Sequence, residues 1–397
     1  MSVMEIWQQE FKDLLKRIGP RFARLGSRRQ AGQYLQGLLS QMPRKNGWQL
    51  AETLGHSSPY ALQQFLYRAK WEADEVRDDL RSYVVEHLGD VEGVLVIDET
   101  GFIKKGTHSV GVQVQYCGTA GRTTNCQIGV FLTYATPKGH TFVDRALYLP
   151  ESWTDDRTRC QQAGVPDEVH FATKPELARQ MIARTLAASV PAKWVTGDSV
   201  YGGHYPLRNW LEAYPMAYVL ALSPKDTLVT LKGWPQRVST WLEHLPSEGW
   251  RRLSAGQGSK GQRWYDWVRF PLAAPDRSGW QRWLLLRRSL SNPTKVTPYV
   301  CFGPVDTPLA TMVRVAGTRW TTETTFESTK QEVGLDEYEV RSYQGWYRHM
   351  TLACLAHAFL TVLRANGLDP VLEFEKKTSL PANSLATFKA KRGLICL

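Results

Sequence analysis

Residues 94–132 read VLVIDETGFIKKGTHSVGVQVQYCGTAGRTTNCQIGVFL, and this stretch sets the fold class. Val94–Asp98 is a short apolar run ending in an acid. Ser109–Tyr116 and Gln127–Tyr134 are β-branched or alternating runs flanking the glycine-rich turn GTAGRTTN, so the stretch reads as three strands in meander. Downstream, Pro175–Ala188 reads as a helix with Leu177, Met181, Ile182 and Leu186 on one side. Trp194–Asp198 is a second buried strand ending in an acid. Arg208–Glu212 follows as a short helix and Ala217–Leu222 as a fifth strand. The expected class is α/β, with residues 91–222 forming the first part of a catalytic core.

Residues 1–90, ahead of this stretch, look helical, with apolar positions such as Phe11, Leu14, Leu15 and Ile18 recurring at three to four. Between Lys12 and Lys45 the charges are Lys16, Arg17, Arg21, Arg24, Arg28, Arg29 and their like, with Asp13 the one acid. Two short helices, Trp48–Leu54 and Tyr60–Trp71, flank GHSSP; they fit a helix-turn-helix or a plain helical bundle. Residues 223–310 carry Trp234, Trp241, Trp250, Trp264, Trp267, Trp280 and Trp283 among many arginines, and read as a β-rich insertion in which most of these rings pack. Two helices close the core over 311–365, about Gly317–Glu332 and Trp346–Ala365, and residues 366–397 form a polar tail.

The chain has 397 residues, 43% of them apolar, which is enough for two or three domains with a buried core. A net charge of +11 points to a polyanionic partner, and nucleic acid suits it better than a membrane surface, because no polybasic run flanks an apolar anchor. Six cysteines form no C-x-x-C pair and the histidines no H-x-x-x-H pair, so a zinc site is not expected. The opening MSVMEIWQQEF does not read as a signal peptide, and the apolar stretch Met350–Leu363 is too short to span a bilayer.

Asp98 and Asp198 both follow buried strands, where ligand-binding and catalytic groups gather in open α/β sheets. In RWTTETTFESTK, Arg319, Glu323 and Lys330 are four and seven apart, so they share one helix face; the face is either a third carboxylate between two cations or a solvated i,i+4 pair. Glu327 in this segment and Glu332 just beyond it are the other acids on or near the helix. Three carboxylates suit two magnesium ions, with manganese as a substitute. Arg319 and Lys330 would then grip phosphates, and Lys104 and Lys105 either contact phosphate or sit in a solvated hairpin.

The order of these elements resembles the ribonuclease H-like DDE transposases of bacterial insertion sequences. The likeness rests on residues 94–132, on VTGDSVYGG, and on RWTTETTFESTKQEVGLDEYEVRSYQGWYRHM. It implies that Asp98, Asp198 and Glu323 are the catalytic and metal-binding triad. Arg319, Glu323 and Lys330 match a Tyr–Arg–Glu–Lys signature, from which the chain departs by carrying Ala316 at the tyrosine. The implied activity is metal-dependent cleavage at element ends and strand transfer into target DNA. The implied partners are double-stranded DNA at inverted repeats and target sites, gripped also by Arg28 and Arg29, and a second copy of the chain on DNA. The implied place is the cytoplasm, at the bacterial nucleoid. The rival readings are a nuclease that cuts without joining and an idle DNA-binding protein derived from a transposase.

Overall fold

The computed structural model describes residues 3–274 and 277–368; the polar tail from residue 369, Cys396 included, lies outside the described residues. Five helices come first: α1 (Val3–Ile18), α2 (Leu25–Leu39), α3 (Gly47–Thr53), α4 (Tyr60–Tyr67) and α5 (Ala73–Leu88). Strands β1 (Val94–Ile103), β2 (Gln113–Cys117), β3 (Arg122–Thr136) and β4 (Gly139–Tyr148) follow, then helices α6 (Glu151–Thr154), α7 (Arg157–Gln162) and α8 (Lys174–Ala187). Next come β5 (Trp194–Gly197), α9 (Ser199–Gly202), α10 (Tyr205–Ala213) and β6 (Ala217–Ala221). The tryptophan-rich segment holds β7 (Thr227–Val229), β8 (Pro235–Arg237), α11 (Val238–Glu243), β9 (Arg251–Gly258), β10 (Gly261–Leu272), β11 (Trp280–Ser289) and β12 (Val296–Pro304). The described chain closes with α12 (Leu309–Thr318), α13 (Trp320–Val333) and α14 (Tyr343–Ala365).

One mixed, mostly antiparallel sheet dominates, in the order β2–β3–β1–β5–β6–β12–β11–β10–β9, with β4 also on β3. β1, β5 and β6 run parallel at its centre. The α/β class expected from the sequence holds, but the meander is built differently. Its third strand is β4, paired with β3 from Ile128 to Thr136, while β2 only flanks the start of β3. Two features explain the difference. Gly111, at φ +73, turns the chain just before β2 and shortens that strand to Gln113–Cys117. In β4, Asp144 and Arg145 put charges into a buried run, which breaks both the apolar and the alternating pattern; each charge is paired with groups on the flanking helices.

The β-rich segment does not stand apart. β12 pairs antiparallel with β6 from Tyr299 to Phe302, so β9–β12 prolong the central sheet. Most of its seven tryptophans are at least half-buried, whereas Trp234 and Trp264 are exposed. The N-terminal helices likewise close on α14. Trp7 and Phe11 meet Phe359 edge-on at 5.7 Å, Tyr34 Oη bonds His349 Nδ1 at 2.8 Å, and Arg348 donates to the carbonyls of Leu66, Ala69 and Trp71. α3 and α4 do flank a tight turn, and α4 buries Leu62, Phe65 and Leu66 while Tyr60 stays exposed.

Candidate active site

Asp98 lies one residue beyond Ile97↔Gly197, the last pair of the parallel β1–β5 ladder. β1 itself runs on to Ile103 against β3, so Asp98 does not end its strand, as the sequence suggested; β5 is the strand that stops. Asp198 then caps α9, its Oδ1 accepting from the Val200 amide at 2.9 Å. The two aspartates therefore stand side by side where adjacent parallel strands part. Burial, then repulsion from Asp198, pushes the Asp98 carboxyl up to about 7, with Arg319 pulling the other way. Burial, then the charge of Glu99, raises Asp198 above its ordinary range.

The third acid arrives on α13. The expected helix Gly317–Glu332 is two helices that meet at Arg319, whose φ of −52° and ψ of −34° keep the turn helical. α13 is oriented by polar bonds across its buried face: Thr322 to Thr133, Thr325 to His140, and Ser328 to His357. That fixes the Arg319–Glu323–Lys330 face toward β1. Arg319 reaches Glu323 Oε1 at 3.3 Å and Asp98 Oδ2 at 3.8 Å. Lys330 Nζ donates to Thr100 Oγ1 at 2.9 Å, two residues past Asp98. Glu323 is half exposed, with a side-chain exposure of 52%. The rival acids of this helix are engaged elsewhere: Glu327 accepts from Gln331, and Glu332 pairs with Arg364 on α14.

The remaining basic candidates are scattered. Lys104 turns inward, its ammonium 3.5 Å over the Tyr338 ring and bonded to the Tyr338 carbonyl, and burial lowers it to about 8. Lys105 is exposed beside it. Arg28 and Arg29 are exposed on α2, with Arg28 Nε donating to the Phe22 carbonyl. Two cations of the basic run around them are neutralised, because Arg17 pairs with Glu86 and Arg21 with Asp79 on α5. Lys45 is buried, donating to the carbonyls of Leu38 and Glu332. Asp156 caps α7, as a loop acid would.

Two features escaped the sequence reading. Glu99 accepts from Tyr201 Oη at 2.6 Å and pairs with Lys174 at 2.7 Å. Its adjacency to Asp98 was the available signal, but strand alternation sends it to the opposite face, where α8 and α9 meet it. Tyr299 of β12 comes close enough to Arg319 to feel its charge, although burial dominates and raises the phenol. This contact follows from β12 joining the sheet at β6, which no local pattern announces.

Asp98 and Glu323 flank one guanidinium and Asp198 stands beside Asp98, so three hard oxygen donors meet here; burial and Asp198 raise the Asp98 carboxyl, and burial and Glu99 raise that of Asp198. Such a place is favoured for a divalent cation. Among the described residues, no group of three His, Cys, Asp or Glu side chains is placed so that it could hold a metal ion. Arg319 sits between two of the three acids, where it partly offsets their charge. No described helix is long and apolar enough to cross a membrane.

Comparison with known proteins gives the family. The family described as DDE superfamily endonuclease matches residues 19–238, more than half of the chain, and the transposase DDE domain matches residues 167–359. A probable transposase for insertion sequence element IS701 from Microchaete diplosiphon is 30% identical over 167 residues, which cover 42% of this chain and 41% of that relative's length. The chain belongs to the DDE superfamily of endonucleases.

Proposed function

We propose that this chain cuts DNA at the ends of its own element and joins the freed 3′-hydroxyl to target DNA. The observation that carries the reading is the meeting of Asp98 and Asp198 where the β1–β5 ladder ends, with Glu323 tied to the same corner through Arg319. Asp98, Asp198 and Glu323 would hold two magnesium ions, with manganese as a substitute. Bound there, divalent cations supply activation of the attacking oxygen and stabilisation of the leaving oxygen in an in-line displacement at phosphorus.

The chain's own groups do the positioning. Arg319 exchanges its carboxylates for the non-bridging oxygens of the scissile phosphate as DNA enters. Lys330, held on Thr100, adds positive charge along β1. The strand order β4–β3–β1–β5–β6, with β1, β5 and β6 parallel, supports a ribonuclease H-like core, and β9–β12 extend it beside the site. Arg28 and Arg29, exposed on α2, and Lys105 are offered to DNA phosphates, with Lys104 holding the hairpin from below. Bringing two ends together calls for two copies of the chain on DNA, at the nucleoid in the cytoplasm.

The test incubates the protein with DNA carrying both element ends and a supercoiled target, with and without magnesium. The expected result is magnesium-dependent release of the ends and their covalent joining to target. Cleavage without joining would reduce the chain to a nuclease, and binding without cleavage would make it an idle DNA-binding protein.

A further inference from the structure

The corner that holds the two aspartates is under electrostatic strain, and the backbone does little to contain it. No register pair joins β1 to β5 beyond Ile97↔Gly197. Asp98 and Asp198 each accept from an amide on their own segment, Glu99 N and Val200 N, both at 2.9 Å. A side-chain tie crosses the gap just behind them: Tyr201 Oη donates to Glu99 Oε2 at 2.6 Å, and Lys174 Nζ takes Oε1 at 2.7 Å. Tyr201 is fully buried, and the side chains of Glu99 and Lys174 are 18% and 24% exposed. The far side of α9 is braced as well. A Cβ at Gly202 would lie 1.8 Å from the Ala221 carbonyl oxygen, so α9 packs directly on the end of β6 and only glycine fits there. Both oxygens of Glu99 are thus occupied, on the face of β1 opposite Asp98.

We propose that Glu99, Tyr201 and Lys174 form a buckle that sets the separation of Asp98 and Asp198, and through it the affinity of the site for a divalent cation. The inference rests on the reading of the two aspartates as cation ligands. All three are positioning residues; they act through the aspartates. Glu99 is the pivot, joined to Asp98 by one peptide bond and to the Asp198 turn by the phenol. Its own charge repels Asp198, and Lys174 offsets that charge, so the tie draws the segments together without driving the acids apart. Loss of the phenol hydroxyl lets the α9 turn relax from β1. The aspartates then spread, and a cation must draw them back.

The experiment uses the full chain and three variants, Tyr201→Phe, Lys174→Gln and Glu99→Gln. Cleavage of end DNA is measured against magnesium and manganese concentration. Mn2+ binding to the protein–DNA complex is measured by electron paramagnetic resonance, alongside melting temperature. Tyr201→Phe should raise the half-saturating magnesium about tenfold and weaken Mn2+ binding to match, with the maximal rate and end binding unchanged. Lys174→Gln should shift both in the same direction. An unchanged half-saturating concentration in Tyr201→Phe overturns the proposal. So does a maximal rate that falls with melting temperature at constant half-saturation, which marks a packing role. Glu99→Gln inactive at every metal concentration also overturns it, because Glu99 would then be a ligand. A wild-type protein that cuts no DNA overturns the functional reading instead, while the Mn2+ titration still reads the buckle by the same shift.

Discussion

Two clusters of charge sit in the same sheet and are treated in opposite ways. Asp144 on β4 has no exposed side-chain surface, and Arg81, Arg184 and Arg145 converge on it at 3.0, 2.6 and 3.7 Å. Burial alone would raise its carboxyl, but Arg184, Arg77 and Arg145 outweigh burial and hold it below its ordinary range. Asp98, also largely buried, has one arginine at 3.8 Å and a second aspartate beside it, and it is pushed up to about 7. The first cluster, saturated with partners, fastens α5 and α8 to the edge of the sheet. The second is left short of positive charge, the deficit that a cation and a phosphate would fill under the proposed function.

The most severe break in this comparison is Asp98→Asn. End cleavage should fall to background while end-DNA binding persists and the fold stays intact, as measured by gel-based cleavage, binding and melting assays. Residual cleavage near the wild-type rate would remove Asp98 from the site. Asp144→Asn should do the reverse, leaving arginines buried around a neutral amide and destabilising the chain by about 3–5 kcal/mol in chemical denaturation. A loss under about 1 kcal/mol would mean that the arginines find solvent or other partners.

Stability against pH separates the two carboxyls by sign. The folded state holds the Asp98 proton from its ordinary 3.8 up to about 7, so stability falls as pH rises through that window and the full penalty applies above it. Without divalent cations, Asp98→Asn should therefore be more stable than wild type at about pH 8, by at most about 4 kcal/mol, and the gain should vanish toward about pH 4. Asp144 contributes stability that is present above its unfolded value and is lost as pH falls through its depressed folded value, so the deficit of Asp144→Asn should shrink in acid. Denaturant titrations across pH read both trends, and parallel curves for the two variants would contradict the contrast.

The smallest expected effect lies on the surface. Arg28→Gln with Arg29→Gln should weaken end binding and flatten the slope of log affinity against log salt by about 1–2, because each lost phosphate contact removes about 0.9 from it. An unchanged slope would leave α2 without a DNA contact at these positions. Deleting residues 1–45 would not isolate this effect, since α1 and α2 bury Leu14, Ile18, Leu35 and Leu38 in the shared core and Lys45 ties the chain to α13.

What was legible in the sequence was whatever local pattern controls. Buried runs ending in Asp98 and Asp198 were visible because both central strands are apolar on both faces. The Arg319–Glu323–Lys330 face followed from helical spacing alone, which was the usable signal because α13 buries Thr322, Thr325 and Thr329 alongside Phe326 and Val333 and so shows little hydrophobic stripe. β4 was missed because its Asp144–Arg145 pair is satisfied by α5 and α8, distant in sequence. The Glu99–Tyr201–Lys174 tie was missed for the same reason, as it joins residues brought together only by sheet order. The joining of β12 to β6 is a long-range register that composition could not reveal, so the sequence showed a β-rich segment but not that its strands prolong the central sheet.

The account stands most directly on whether the undercompensated corner binds a divalent cation. Mn2+ titration of the protein bound to end DNA, followed by electron paramagnetic resonance, measures this without requiring turnover. Wild type and Glu327→Gln should bind Mn2+ alike, and Asp98→Asn, Asp198→Asn and Glu323→Gln should each bind it far more weakly at equal DNA occupancy. Mn2+ binding in Asp98→Asn as tight as in wild type would contradict the account.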